Sequence, residues 1–103
     1  MGNFIGHEAI ETPSIGDILR EEFIEPLNIS VYKLAKDIHV PTSRIFDILN
    51  GKRRVTVETA LRLSKYFNTS ERFFLNLQNI IDIRKEKALH GELLSSIVSA
   101  SAN

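Results

Sequence analysis

Side chains able to hydrogen-bond nucleic acid are concentrated in one short stretch of the sequence. A first group follows a break at residues 39–41 and a second follows Asn50-Gly51: Thr42, Ser43 and Arg44, then Lys52, Arg53 and Arg54. Hydroxyl and guanidinium groups donate to base edges, and an arginine can bind guanine through two parallel hydrogen bonds. Lysine and arginine also bind phosphate oxygens, which position a protein on a duplex. The pattern therefore indicates contacts to double-stranded DNA.

The net charge of the whole chain conceals this basic stretch. The 103 residues carry 13 Lys and Arg against 13 Asp and Glu, a net charge of zero. Residues 1–29 have a net charge of −5, residues 30–68 of +5, and residues 69–103 of zero. The basic middle segment suits a polyanionic partner, although a mixed surface charge without function accounts for the same numbers. The zero total argues against a protein that coats nucleic acid indiscriminately.

Composition argues against several other kinds of chemistry. The chain has no cysteine, which excludes disulfides, thiolate metal sites and cysteine nucleophiles. His7, His39 and His90 lack the spacing of metal ligands, and no glycine-rich phosphate loop is present. We therefore expect no catalytic residues, no metal and no cofactor. No apolar run approaches the ~20 residues of a membrane span, and no signal segment is recognisable, so we expect a cytoplasmic protein without membrane contact.

Apolar side chains at helical spacing predict five helices and no strand. The predicted N-caps are Ser14, Ser30, Thr56 and Ser70. Asp17 approximates a capping box with Ser14. Pro41 suits the first turn of the third helix, and Gly51 suits the left-handed residue after its end. The fifth helix is predicted to end at Lys87 or Ala88, with Gly91 interrupting the helical pattern beyond it.

These elements predict an all-α domain over residues 14–88. An N-terminal arm at 1–13 precedes it, and a partly helical C-terminal extension at 89–103 follows. The second and third helices, joined by the short break at 39–41, match a helix-turn-helix unit with Ala35 at the close crossing. The second helix of such a unit enters the major groove and reads bases mainly with its first turn. An alternative is a helical hairpin with a basic loop that binds no ligand.

Several blocks of sequence, in their order, are more specific than this pattern. They are IGDILREEF at 15–23, EPL at 25–27, SVYKLA at 30–35, VPTSRI at 40–45, NGKR at 50–53, TALRL at 59–63 and FFLNLQ at 73–78. Over about residues 12–85 the chain resembles HigA/VapI-type antitoxins. The resemblance implies a lambda-repressor-like, XRE-type helix-turn-helix fold. It also implies a dimer that binds a palindromic operator, represses its own operon and neutralises a HigB toxin, a RelE-like ribonuclease.

The resemblance also implies roles for individual residues. The residues expected to contact bases are Thr42, Ser43, Arg44 and Asp47. Those expected to contact the DNA backbone are Asn50, Lys52 and Arg54. Arg53, which lies beside them, also suits a phosphate contact. Asp47 suits a cytosine amine or the orientation of Arg44 or Arg54. Two residues depart from the family pattern. His39 stands where a turn glycine is usual, although histidine adopts left-handed angles more readily than branched residues do. Phe46 replaces a small polar residue, and either contacts a thymine methyl group or packs against its own domain.

The sequence offers two candidate protein-binding surfaces. In the fifth helix, Phe73, Phe74, Leu77, Ile80 and Ile81 are predicted to form the core stripe. Leu75 and Ile83 fall outside it and are candidates for a dimer interface, unless residues 89–98 cover a wide core face. The acidic segment at 1–29 could attract a basic toxin, or it is an ordinary solvated helix face. Two alternative functions remain: a stand-alone XRE-type repressor without a toxin partner, and a helical protein-interaction module.

Overall fold

The computed structural model describes residues 12–101, which fold into five helices. Their bounds are α1 Ile15–Ile18, continued by a π-helical segment Leu19–Ile24, then α2 Val31–Asp37, α3 Thr42–Leu49, α4 Val57–Phe67 and α5 Phe73–Ser96. Within this range there is no strand. The predicted all-α, five-helix fold is confirmed. Most of the predicted arm at 1–13, including His7, lies outside the described residues.

Two of the four predicted N-caps form as expected. The Ser14 hydroxyl accepts from the Asp17 N–H at 3.0 Å, and the Asp17 carboxylate accepts from the Ser14 N–H at 3.3 Å. This reciprocal pair is a capping box. The Ser30 hydroxyl accepts from the Lys33 N–H at 3.0 Å. These bonds satisfy amide groups that have no partner within their own helix.

The other two predicted caps are corrected by the structure. Thr56 occupies the N-cap position of α4, but its side chain makes no capping hydrogen bond. Ser70 does not cap α5, because α5 begins at Phe73 with Arg72 in the N-cap position. The Ser70 carbonyl instead accepts from the Phe73 N–H at 3.2 Å, which closes a turn before the helix.

The first four helical segments each end at a residue with left-handed backbone angles. The residues and their φ values are Asn28 at 54°, His39 at 63°, Gly51 at 76° and Asn68 at 59°. After α3, the Lys52 N–H donates to the Asp47 carbonyl at 2.8 Å, and the Gly51 N–H donates to the Ile48 carbonyl at 3.1 Å. This is the hydrogen-bond pattern of a Schellman motif. The left-handed turn predicted for His39 is confirmed.

The core is built from all five helices. Its fully buried side chains include Leu19, Leu34, Ile45, Ile48, Leu63 and Phe74. Aromatic rings pack together at one side, where the Phe23 ring centroid lies 5.0 Å from that of Phe67 and 5.2 Å from that of Phe74. Ala35 is buried, as the predicted close crossing of α2 and α3 requires. This packing holds α3 rigidly against its neighbours.

Gly16 lies where two helices approach each other closely. A Cβ atom placed on Gly16 would lie 2.6 Å from the carbonyl oxygens of both Ile48 and Leu49, and 2.8 Å from the Leu49 Cα. These are backbone atoms at the end of α3, so they cannot move aside as a flexible side chain can. The absence of a side chain at Gly16 therefore lets α1 lie directly on α3.

The proximal half of α5 contacts the core through part of the predicted stripe. Phe74, Leu77 and Ile81 contact the core as predicted, whereas Phe73 is exposed. Phe74, Gln78 and Ile81 are buried, whereas Ile80 is 49% exposed. Leu75 is partly buried against the core and does not lie on an exposed face as predicted, whereas Ile83 is exposed. Gln78 adds a polar side chain to this buried face. Its side-chain oxygen accepts from the buried Val55 N–H at 3.1 Å.

The distal half of α5 continues past the predicted end at Lys87 or Ala88. Helix extends to Ser96, with non-helical angles at His90 rather than an interruption at Gly91. From Ile83 to residue 101 every residue except Gly91 is exposed. Gly91 does not adopt positive φ, so it continues the helix. The boundary predicted between residues 88 and 89 therefore lies inside a helix.

Substituting Gln78 with methionine should lower the free energy of unfolding by about 1–3 kcal/mol, the cost of leaving a buried donor unpaired. The Val55 N–H loses its acceptor, and Asp82 loses the Gln78 amide donor at 3.0 Å. Denaturant unfolding monitored by circular dichroism measures the change. Asn79→Met, at an exposed neighbouring position, is the matched control. Equal stability of the two variants would contradict the assigned role of Gln78.

Candidate nucleic-acid interface

The turn between α2 and α3 is fixed by backbone hydrogen bonds and by a side chain from α4. The His39 N–H donates to the Lys36 carbonyl at 3.2 Å, and the Val40 N–H donates to the Ala35 carbonyl at 3.0 Å. The Arg62 guanidinium donates from Nη1 to the carbonyls of Ile38, at 3.1 Å, and His39, at 2.7 Å. The turn, and with it the direction of α3, is therefore tied to α4.

The outward face of α3 carries most of the predicted base-contacting residues. Ser43 and Asn50 are exposed, Thr42 and Asp47 are half-buried, and Ile45 and Ile48 fill the opposite, core side. Residues three and four apart share a helix face, so Ser43, Asp47 and Asn50 lie in one row. Phe46 lies on the same exposed side. The structure thus brings this part of the predicted set together.

Arg44 is held by an ion-pair network that sequence reasoning missed. Its side chain is only 22% exposed, and its Nη1 lies 3.1 Å from Oε1 of Glu58. The other Glu58 oxygen lies 3.2 Å from Nη2 of Arg62. The Nε of Arg44 is buried and has no hydrogen-bond partner among residues 12–101. To bind a base edge, Arg44 has to exchange Glu58 for the base.

The predicted phosphate-binding residues divide into two kinds. Lys52 and Arg53 are exposed, and neither forms an ion pair within the part of the chain that the structure describes. Arg54 is also exposed but pairs with Asp82 of α5. Asp82 accepts in turn from Gln78. Lys52 and Arg53 therefore present their full charge to solvent, whereas Arg54 also connects the basic loop to α5.

A polar cluster connects α2 to α4 behind the turn. The Tyr66 hydroxyl donates to Oδ2 of Asp37 at 2.7 Å, and Nζ of Lys33 lies 2.9 Å from the same oxygen. The hydrogen bonds from Lys33 and Tyr66 hold the pKa of Asp37 below its ordinary value of 3.8. The hydrogen bond to Asp37 likewise raises the pKa of Lys33 and that of Tyr66.

Acid should weaken the contribution of Asp37 to stability. A carboxyl group with a lowered pKa in the folded state stabilises fully above its unfolded pKa, and loses this contribution as pH falls through the folded value. The difference in unfolding free energy between wild type and Asp37→Asn should therefore shrink as pH falls from about 5 to 2, the range in which such a carboxylate protonates. Urea unfolding across this range measures it. Tyr66→Phe removes one of the two hydrogen-bond donors to Asp37, so its difference in unfolding free energy from wild type should change less with pH. A difference between wild type and Asp37→Asn that stays constant over this pH range contradicts the expectation.

Comparison with known proteins agrees with this geometry. A family model described as helix-turn-helix matches residues 19–74, more than half of the chain and the whole α2–α3 unit. Virulence-associated protein I of Dichelobacter nodosus is 43% identical over 76 residues, which are 72% of this chain and 70% of that protein. The chain belongs to the HigA/VapI-type family of XRE-type helix-turn-helix proteins. The matched regions span 60–70% of the length of the first curated relatives.

Solved structures of two relatives contain DNA. The Pseudomonas aeruginosa antitoxin HigA, solved with the higBA promoter, is 30% identical to this HigA/VapI-type chain with a TM-score of 0.79, and the match covers 87% of this chain and 98% of that one. A second Pseudomonas aeruginosa protein, solved with its 18-base-pair operator, is 31% identical with a TM-score of 0.83 and coverages of 89% and 98%. Between residues 12 and 101, no helix of the present chain has the length and apolar character to cross a membrane.

Proposed function

We propose that this XRE-type protein binds operator DNA as a homodimer, represses its own operon and neutralises a HigB/RelE-like ribonuclease toxin in the cytoplasm. The observation that carries the DNA-binding part is the outward face of α3, which presents polar side chains beside the exposed cations of the following loop. The likeness to two proteins solved with promoter or operator DNA supports the same function. The proposal assigns no catalytic role to any residue.

The α2–α3 unit can divide recognition between two sets of residues. Thr42, Ser43, Arg44 and Asp47 contact base edges in the major groove, and Asn50, Lys52, Arg53 and Arg54 contact the phosphate backbone. Phosphate contacts set the register of the protein, and base contacts select the sequence. Because Lys52 and Arg53 pair with no carboxylate within residues 12–101, they bind phosphate without first breaking an ion pair there.

The distal half of α5 supports the homodimer. Its large apolar side chains are exposed: Ile83, Leu89, Leu93 and Leu94, with Ile97 and Val98 beyond the helix end. A concentration of exposed apolar side chains in one segment is typical of protein interfaces, and a second copy can cover it through the same face. A two-fold dimer presents two copies of α3 to half-sites about one helical turn apart. Leu75, which packs against its own core, is not part of this surface.

An acidic face on the π-helical segment Leu19–Ile24 and the residue after it supports the toxin-binding part of the proposal. Glu21, Glu22 and Glu25 are exposed, and within residues 12–101 none of them forms an ion pair. A ribonuclease that binds RNA carries a basic surface, and complementary charges steer such partners together. The acidic face and the basic α3 loop lie on different segments of the chain. The toxin and the operator can therefore bind to oppositely charged surfaces of the same molecule.

A salt titration tests the proposed DNA binding. The full chain is titrated with DNA from upstream of its own gene and with a scrambled duplex, at several salt concentrations. The logarithm of affinity should fall steeply with the logarithm of salt concentration, because bound phosphates release counterions. Lys52→Ala should weaken both duplexes alike and reduce the slope by about one. Binding without salt dependence or sequence preference overturns the DNA-binding proposal.

Co-expression with the adjacent reading frame tests the toxin partner. A basic product that co-purifies with this chain, and whose ribonuclease activity this chain inhibits, is the expected result. Specific operator binding together with failure to bind that product favours the stand-alone repressor. Light scattering measures the dimer, and Leu93→Glu, which places a charge on the exposed apolar surface, should give a monomer. A wild-type monomer at all concentrations used for DNA binding contradicts the dimer.

A further inference from the structure

Phe46 is an aromatic residue on the outward face of the recognition helix. Its side chain is 38% exposed, whereas Ile45 and Ile48 of the same helix are fully buried. Phe46 is absent from the core cluster and from the partly buried side chains that pack against that cluster. Its neighbours in the outward row, Ser43 and Asn50, are polar. The stability of the core therefore does not explain an aromatic ring at this position.

Tyr32 of α2 supports the Phe46 ring from the side. The two ring centroids lie 5.9 Å apart with the ring planes at 75°, which is an edge-to-face arrangement. Such pairs are more stable than their buried area alone accounts for. Tyr32 is itself 67% exposed, so the pair forms an apolar surface patch between the two helices of the unit. The contact limits the directions in which the Phe46 ring can point and leaves much of it open to a ligand.

The major groove offers one apolar group among its hydrogen-bonding edges, the C5-methyl group of thymine. We infer that Phe46, supported by Tyr32, binds a thymine methyl group and makes thymine the preferred base at one position of each operator half-site. This inference rests on the proposed DNA binding and identifies a base that the polar residues of α3 do not select. Adenine, guanine and cytosine present no methyl group at the same place in the groove.

The expected effect follows from the size of a methyl group. Removing one buried methyl group should weaken binding about four-fold, which corresponds to about 0.8 kcal/mol. If both half-sites of a two-fold dimer contain the thymine, the two four-fold effects multiply, and removing both methyl groups should weaken binding about fifteen-fold. Both changes are within the range of a fluorescence anisotropy titration.

Deoxyuridine provides a direct test because it differs from thymidine only by this methyl group. Duplexes are first selected by the wild-type protein from a random library. The most enriched duplex is then resynthesised with deoxyuridine at one thymidine at a time. We expect one position per half-site where deoxyuridine weakens wild-type binding about four-fold, the value for one methyl group. Phe46→Ala should bind the thymidine and deoxyuridine forms of that position equally.

Control variants separate this effect from a general loss of affinity. Ile80→Ala removes a similarly exposed apolar side chain from α5. It should leave unchanged the ratio of the affinity for the thymidine duplex to the affinity for the deoxyuridine duplex. Phe46→Leu keeps an apolar side chain and should retain part of the ratio. Equal wild-type binding to thymidine and deoxyuridine at every position, or a full ratio in Phe46→Ala, overturns the inference while the DNA-binding proposal stands. Failure to enrich any duplex overturns both.

Discussion

Gly16→Ala should lower the free energy of unfolding by about 3 kcal/mol, at the upper end of what overpacking a well-packed site costs. The new Cβ would lie 2.6 Å from two carbonyl oxygens at the end of α3. Relief requires α1 and α3 to move apart, which disturbs the core behind the recognition helix. For a domain of this size the change corresponds to a fall in Tm of roughly 10–25 °C. Differential scanning calorimetry measures it.

Gly91→Ala is the matched control for this substitution. Gly91 also lies in a helix, but nothing lies within 4 Å of a Cβ placed there. Alanine is favoured over glycine in a helix by about 1 kcal/mol, so Gly91→Ala should leave stability unchanged or raise it. Helix propensity alone predicts the same outcome for both variants. A stabilised Gly16→Ala protein would therefore falsify the close contact between α1 and α3.

Arg44→Ala should lower affinity for the selected operator about 5- to 150-fold, equivalent to about 1–3 kcal/mol for a lost base contact. The loss should be much smaller for a scrambled duplex, because Arg44 is expected to read a base rather than a phosphate. Anisotropy titrations on both duplexes at one salt concentration measure the ratio. Since Arg44 is only 22% exposed and pairs with Glu58, a thermal melt of each variant must accompany the titrations.

Two further variants identify the role of Arg44. Lys52→Ala should weaken both duplexes equally, as expected for a phosphate contact. Glu58→Gln keeps the shape of its side chain but removes the negative charge that competes with DNA for Arg44, so it should bind operator more tightly than wild type. If Arg44→Ala weakens the operator and the scrambled duplex by the same factor, Arg44 positions α3 through Glu58 and does not read a base.

Local sequence signals predicted the fold well because they act over a few residues. The capping box at Ser14, the cap at Ser30 and the left-handed angles of His39 and Gly51 depend on neighbours within one or two turns. The apolar spacing of α2 and α3 is likewise local. These signals were sufficient to identify the helix-turn-helix unit, whereas the family was indicated by the resemblance of the sequence blocks between residues 15 and 78. They also placed the predicted contact residues on α3 and the loop that follows it.

The features that sequence reasoning missed depend on contacts between distant residues. Glu58 follows Arg44 by 14 positions, and Val55 precedes Gln78 by 23, so neither pairing leaves a periodic signal. A polar side chain such as Gln78 gives no local signal that it is buried, because its burial depends on the hydrogen bond from the Val55 N–H. The close approach of Gly16 to the end of α3 likewise joins residues more than 30 positions apart in the sequence.

The bend at His90 gives the distal half of α5 a second role in the proposed dimer. Residues 83–96 form two helical stretches, before and after His90, with a combined length of roughly 20 Å at 1.5 Å per residue, and all of these residues except Gly91 are exposed. If two copies join along these stretches, their length and the angle at His90 determine how far apart the two recognition helices lie. The bases of a half-site and the distance between half-sites are then specified by separate parts of the chain. Each can change in evolution without altering the other.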